Sequence, residues 1–117
     1  LSHMFALHAQ LQYIMEEGLE NRWNRHFENM QLVRDWGRKH FELLVEDEFA
    51  SRTVSVIKNT RGISVGDLNK ALGERGFQIA NGYGELKDKT FRIAHMADCK
   101  KEGLLDLFSN IEEVLGL

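Results

Sequence analysis

A helical period runs through the first third of the chain and stops near residue 40, and no other feature constrains the fold as much. Met4, Leu7, Leu11 and Ile14 recur at spacings of three and four, which puts them on one face of a helix. Ser2 is a suitable N-cap. Gly18 interrupts the pattern, and a second period of Leu19, Trp23, Phe27, Met30 and Val33 carries on to about Gly37. The spacing predicts two helices in tandem. The polar side of the second (Glu20, Arg22, Asn24, Arg25, Glu28, Asn29) reads as a solvated face. The chain has no proline, although about 5% is usual; long unbroken helices account for that.

After His40 the texture changes. "FELLV" (41–45) and "TVSVI" (53–57) are short and rich in β-formers, with a charged turn between them. Ser64 precedes Asp67 by three residues, a variant capping box, and opens a helix that shows Leu68, Ala71 and Leu72 on one face up to Gly73 or Gly76. "FQIA" (77–80) reads as a third strand, "NGYGELKDK" as a glycine-bearing loop and "TFRIAHM" (90–96) as a fourth strand. Asp98 is the expected N-cap of a last helix carrying Leu104, Phe108, Ile111 and Leu115. The order is ααββαββα. It implies an α+β fold: a small, largely antiparallel sheet with helices packed on one face, preceded by two long helices. The length of 117 residues suits a single domain, 1–117.

Bulk properties remove several classes of function. A net charge of −3 gives no basic footprint for nucleic acid. No apolar run approaches the roughly 20 residues of a membrane span, and the first residues lack the pattern of a signal peptide. The single cysteine, Cys99, excludes an internal disulfide and fits a reducing compartment, so a cytoplasmic setting is expected. The five histidines have no zinc-motif spacing, and no metal is expected. No serine sits in a nucleophile elbow and no glycine loop has phosphate-binding spacing. Gly82 and Gly84 read as turn residues, and Trp23 and Trp36 as core or interface anchors. Cys99 reads as an inert thiol, although a helix N-terminus can lower a thiol pKa.

Arg92 is the one candidate site residue. In a strand, Phe91, Ile93 and His95 point one way, and Thr90, Arg92, Ala94 and Met96 the other. Phe91 and Ile93 suit the helix-covered core, so Arg92 lies on the opposite face between small or flexible side chains. Its planar fork suits bidentate capture of a carboxylate or phosphate. The plainer alternative is an internal salt bridge to one of the eighteen acidic residues.

"NGYGELKDKTFRIAHMADC" resembles the C-terminal signature of the class V aminotransferases, in particular the serine–pyruvate/alanine–glyoxylate group. In that family a glycine-rich turn and a short lysine-containing loop lead into a strand of the form (F/L)-R-I-(G/A)-(H/L)-(M/L)-G. "ALHAQLQYIMEEGLENRWNRH" is similar to the family's paired helices, so the resemblance covers essentially the whole chain. Ala97 departs from it, standing where many relatives have glycine.

The resemblance implies the C-terminal small domain of a longer fold type I enzyme that moves an amino group between an amino acid and a 2-oxo acid. It implies that Arg92 binds the α-carboxylate of the substrate. It also implies a homodimer and a large domain holding pyridoxal 5'-phosphate, with the cofactor lysine outside this chain. No catalytic or cofactor-binding residue is therefore expected here, no cofactor is expected on the chain alone, and the chain alone is expected to be inactive. A free-standing amino-acid-sensing regulatory module, or an interaction domain docking through the tryptophan-bearing helices, is the alternative.

Overall fold

The computed structural model describes residues 1–117. Helices α1 (Ser2–Glu17) and α2 (Leu19–His40) follow one another across Gly18. The φ of 84° at Gly18 is a value that side chains disfavour, so the break falls at the residue best able to make it. Ser2 is not the N-cap; α1 already includes it, and no side chain caps that end.

Helix α2 also continues past Gly37, because this glycine is a contact point and not a stop. A Cβ there would come within 2.9 Å of Leu43 Cδ2 and 3.4 Å of Ile57, so the missing side chain lets the helix press onto the sheet.

Four strands make one antiparallel sheet in the order β1-β2-β4-β3: β1 (Glu42–Leu43), β2 (Val54–Lys58), β3 (Ala80–Asn81) and β4 (Thr90–Ala94). The edge strands have only two residues each, shorter than the sequence suggests. Residues 77–79 are not part of β3: the Ile79 N–H donates to the Asn69 side chain at 3.0 Å, so a side chain takes the place of the ladder. Strand β4 ends at Ala94, and one more bond, from His95 N to Thr53 O, prolongs it.

Helices α3 (Val65–Glu74) and α4 (Lys101–Leu115) complete the order ααββαββα. Ser64 caps α3 by accepting from Asp67 N at 3.2 Å. Asp98 does not cap α4, whose N-cap is Lys100; it is held instead by Arg22 and Gln10.

The core lies between one sheet face and the helices. Ile57, Phe91 and Ile93 from the sheet meet Val33 and Trp36 of α2, Leu68 and Leu72 of α3, and Leu104, Phe108 and Ile111 of α4. Trp36 stacks on Phe108 with ring centroids 4.9 Å apart, and its indole N–H donates to Glu112. Burial of apolar area, aliphatic and aromatic together, is the main favourable contribution to folding. The other tryptophan, Trp23, stays 61% exposed and anchors nothing within the chain. No residue of α1 is buried. No helix is long and apolar enough to cross a membrane.

Candidate functional site

Arg92 occupies the middle of β4, paired across the sheet with Val56 on one side and Ala80 on the other. Cross-strand partners share a face, so this row lies on the side the helices leave open. Both immediate neighbours are apolar, and the arginine is half-buried. Thr90 shares the face yet is buried, because the loop 82–89 folds back over it and its hydroxyl donates to Leu86 O. Arg92 therefore sits just beyond the margin of this loop.

The guanidinium takes part in no ion pair. Its only hydrogen bond runs from Nε to the Asn81 carbonyl at 3.0 Å, so neither Nη nitrogen has a partner in the chain. The internal salt bridge that the sequence left open is not formed. Arg34, on α2, shows what a fully committed arginine looks like here. It is buried, it donates from Nε and Nη2 to Asp47 Oδ1, and Nη2 also reaches Val45 O. A half-buried guanidinium with two free N–H₂ groups is suited to take a planar anion bidentately.

The loop before β4 is closed at its neck by residues that sequence reasoning assigned only to a turn. Asn81 Oδ1 accepts from Gly82 N at 2.7 Å and Asp88 N at 2.8 Å, while Nδ2 donates to Asp88 Oδ1 at 2.8 Å. Asp88 has φ 61°, a conformation Asp and Asn tolerate better than most residues. A side chain at Gly82 would overlap the Leu86 carbonyl oxygen and the Thr90 hydroxyl. The available signal was an asparagine and an aspartate bracketing a glycine turn.

The arginine-rich cluster between the helices is internally satisfied. A groove of about 1070 Å³ where α1, α2 and the start of α4 meet is lined by Tyr13, Glu17, Arg22, Arg25 and Asp98, among others. Its arginines are committed: Arg25 donates to Glu17 and to the carbonyls of Ala97 and Cys99, and Arg22 to Glu17 and Asp98. The hydrogen bond from Arg25 is the main reason the Glu17 carboxyl is lowered to about 2. Ala97 has φ 59°, the region that favours glycine, and this is the position where the sequence departs from the family pattern. The strain, on the order of 1 kcal/mol, is held by Arg25 on its carbonyl and by His26, which accepts from its N–H.

His95 is wholly buried, with Nε2 2.9 Å from Ser55 Oγ and Nδ1 without a partner; burial pushes its pKa down to about 4. Burial raises the Cys99 thiol, against the opposing pull of Arg25, so the helix start does not activate it. No three His, Cys, Asp or Glu side chains are grouped to hold a metal ion. No lysine is buried, and Lys58, the one that is half-buried, faces Glu42 at 3.9 Å.

No protein-family model matches the chain. It is 31% identical to the (S)-ureidoglycine–glyoxylate transaminase of Bacillus subtilis, over 96% of this chain and 28% of the relative. It is 29% identical to the serine–glyoxylate aminotransferase of Methylorubrum extorquens, over 93% of this chain and 28% of the relative. Among solved structures, alanine–glyoxylate aminotransferase from Nostoc sp. superposes with a TM-score of 0.82 at 29% identity, over 90% of this chain and 29% of that one. The chain is a homologue of the class V aminotransferases. Within them, these relatives carry the names of glyoxylate aminotransferases, and the chain spans about 28% of the length of the curated ones.

Proposed function

We propose that the chain is the C-terminal small domain, residues 1–117, of a longer pyridoxal-phosphate aminotransferase. That enzyme exchanges an amino group between an amino acid and a 2-oxo acid. In it Arg92 binds the substrate α-carboxylate, and this domain closes one side of the active site. The observation that carries the reading is the half-buried Arg92 guanidinium, which has apolar neighbours, no acidic partner and two free Nη groups.

Pyridoxal 5'-phosphate supplies the electron sink of such chemistry when bound. The residues of this chain do not fit it: no lysine is buried, and the one that is half-buried, Lys58, faces Glu42. The cofactor groups belong, on this reading, to a large domain outside the chain, in a homodimeric cytoplasmic enzyme. What this chain contributes is orientation. A carboxylate fixed by Arg92 sets where the substrate Cα lies, and positioning of that kind contributes to rate as well as affinity.

The test is made in the complete enzyme. Arg92→Ala is expected to lower kcat/KM toward amino acids about a hundredfold, since a partly desolvated charge-assisted pair is worth on the order of 3 kcal/mol. Arg92→Lys restores part of this, because an ammonium keeps the charge without the fork. A primary amine lacking the carboxylate is expected to react equally slowly with either enzyme. Equal losses for both substrates together with a lower melting temperature would make Arg92 a scaffold residue and defeat the reading.

A further inference from the structure

Two edges of a guanidinium can take a carboxylate bidentately: the side, formed by Nε with one Nη, and the end, formed by the two Nη nitrogens. In this chain the side edge is already spent. Nε donates to the Asn81 carbonyl at 3.0 Å, and only the end edge is free. On the reading that Arg92 binds a substrate carboxylate, we propose that Asn81 and Asp88 form a positioning clamp. The clamp holds the Asn81 carbonyl against Nε, so that Arg92 meets the carboxylate end-on through Nη1 and Nη2.

The carbonyl needs such a clamp because it belongs to a two-residue edge strand, Ala80–Asn81, and a strand that short is poorly held by its ladder alone. The Asn81 side chain supplies the missing restraint. Its Oδ1 accepts from Gly82 N and Asp88 N, and one N–H of Nδ2 donates to Asp88 Oδ1, all three bonds closing the loop neck. Asp88 is anchored in turn, its carbonyl accepting from Asn59 Nδ2 at 2.9 Å. Asn59 is tied on both sides of its amide to the backbone of Ile63, which packs against the core. A continuous path thus runs from the core through Asn59, Asp88 and Asn81 to Nε of Arg92. An arginine side chain has about 2 kcal/mol of rotamer entropy to lose, and the clamp removes part of that freedom before substrate arrives.

Asp88 is the residue to change, because it is exposed and does not touch Arg92. Asp88→Gly removes the carboxylate, and with it the bond from Asn81 Nδ2, yet accepts the left-handed backbone; Asn81→Ala removes all three side-chain bonds at the neck while keeping the carbonyl on Nε; Asp88→Asn keeps both the acceptor and the conformation. In the complete enzyme, Asp88→Gly is expected to lower kcat/KM for amino acids about tenfold, and Asn81→Ala at least as much, as loosened substrate positioning does. Asp88→Asn should match the wild type, and the carboxylate-free amine should not distinguish the four.

A second readout does not depend on catalysis. In the complete enzyme, the Arg92 Nε–H signal in nitrogen-15 NMR is expected to exchange slowly in the wild type and in Asp88→Asn, and fast in Asp88→Gly and Asn81→Ala. If Arg92→Ala lowers kcat/KM while neither Asp88→Gly nor Asn81→Ala changes kcat/KM or Nε–H exchange, the clamp is refuted and the carboxylate reading stands. If Arg92→Ala leaves kcat/KM for amino acids unchanged, both fall. Equal losses on both substrates in Asp88→Gly, with a lower melting temperature and no rescue by asparagine, would reduce the clamp to a stabilising loop contact.

Discussion

His95 has no contact with water and keeps an imidazole between the sheet and the helices. Its folded pKa of about 4, against an ordinary 6.5, means the folded chain refuses a proton that the unfolded chain accepts between those values. Its contribution to stability is therefore complete above about pH 6.5 and declines as pH falls toward 4, with a slope of at most about 1.4 kcal/mol per pH unit. Glu17 acts lower, between its ordinary 4.5 and about 2, so the two effects separate. Urea unfolding at pH 7, 5.5 and 4.5 should show this loss, and His95→Gln should flatten the curve between pH 6.5 and 4. An identical slope in that variant would assign the acid sensitivity elsewhere. Arg92 was legible in the sequence because strand alternation alone put a cation on the face without helices. Asn81 and Asp88 were legible only as turn formers, because the bond from Arg92 Nε goes to a backbone carbonyl, which residue identity does not disclose.

Elements were legible to the extent that local chemistry decides them. The first helix pair, the Ser64 cap and the strands around Val56 and Arg92 follow from periodicity and capping, which act within a few residues. Boundaries failed where distant residues intervened. Asp98 has the right side chain for a cap, but arginine and glutamine from the first two helices claim it. Gly37 resembles a helix terminus, yet its role is set by Leu43 and Ile57, which approach only in the folded chain. The third strand shrank because Asn69, from a neighbouring helix, took the Ile79 amide. The loop 82–89 gives a prediction at this scale. Gly82→Ala puts a methyl group into the space held by the Leu86 carbonyl, and backbone cannot move aside as a side-chain end can. The cost is expected to be about 2 kcal/mol or more, measured by denaturant unfolding. A change within 0.5 kcal/mol would mean the loop relaxes freely.

At the scale of the molecule, the first helix stands apart. Met4, Phe5, Leu7, Leu11 and Met15 are exposed along it, and Leu19 and Trp23 extend the surface past the glycine joint. Patches larger than a few hundred Å² usually find a partner. The 117-residue chain studied by itself is therefore expected to self-associate at high concentration. Light scattering would show it, and the double change Leu7→Glu with Leu11→Glu should return a monomer. A wild-type chain that stays monomeric throughout would refute the expectation.

The strand order carries a consequence for how the molecule is made. The last strand in the chain lies inside the sheet, between β2 and β3. While a ribosome is still short of Ala94, the hairpin of the first two strands has an open edge, and Ala80–Asn81 has nothing to pair with. The two long helices can form ahead of the strands, but the sheet cannot be assembled piecemeal in the order of synthesis. It forms in one late step, when the segment bearing Arg92 inserts and satisfies both edges at once, so an unprotected edge persists until Thr90–Ala94 is available.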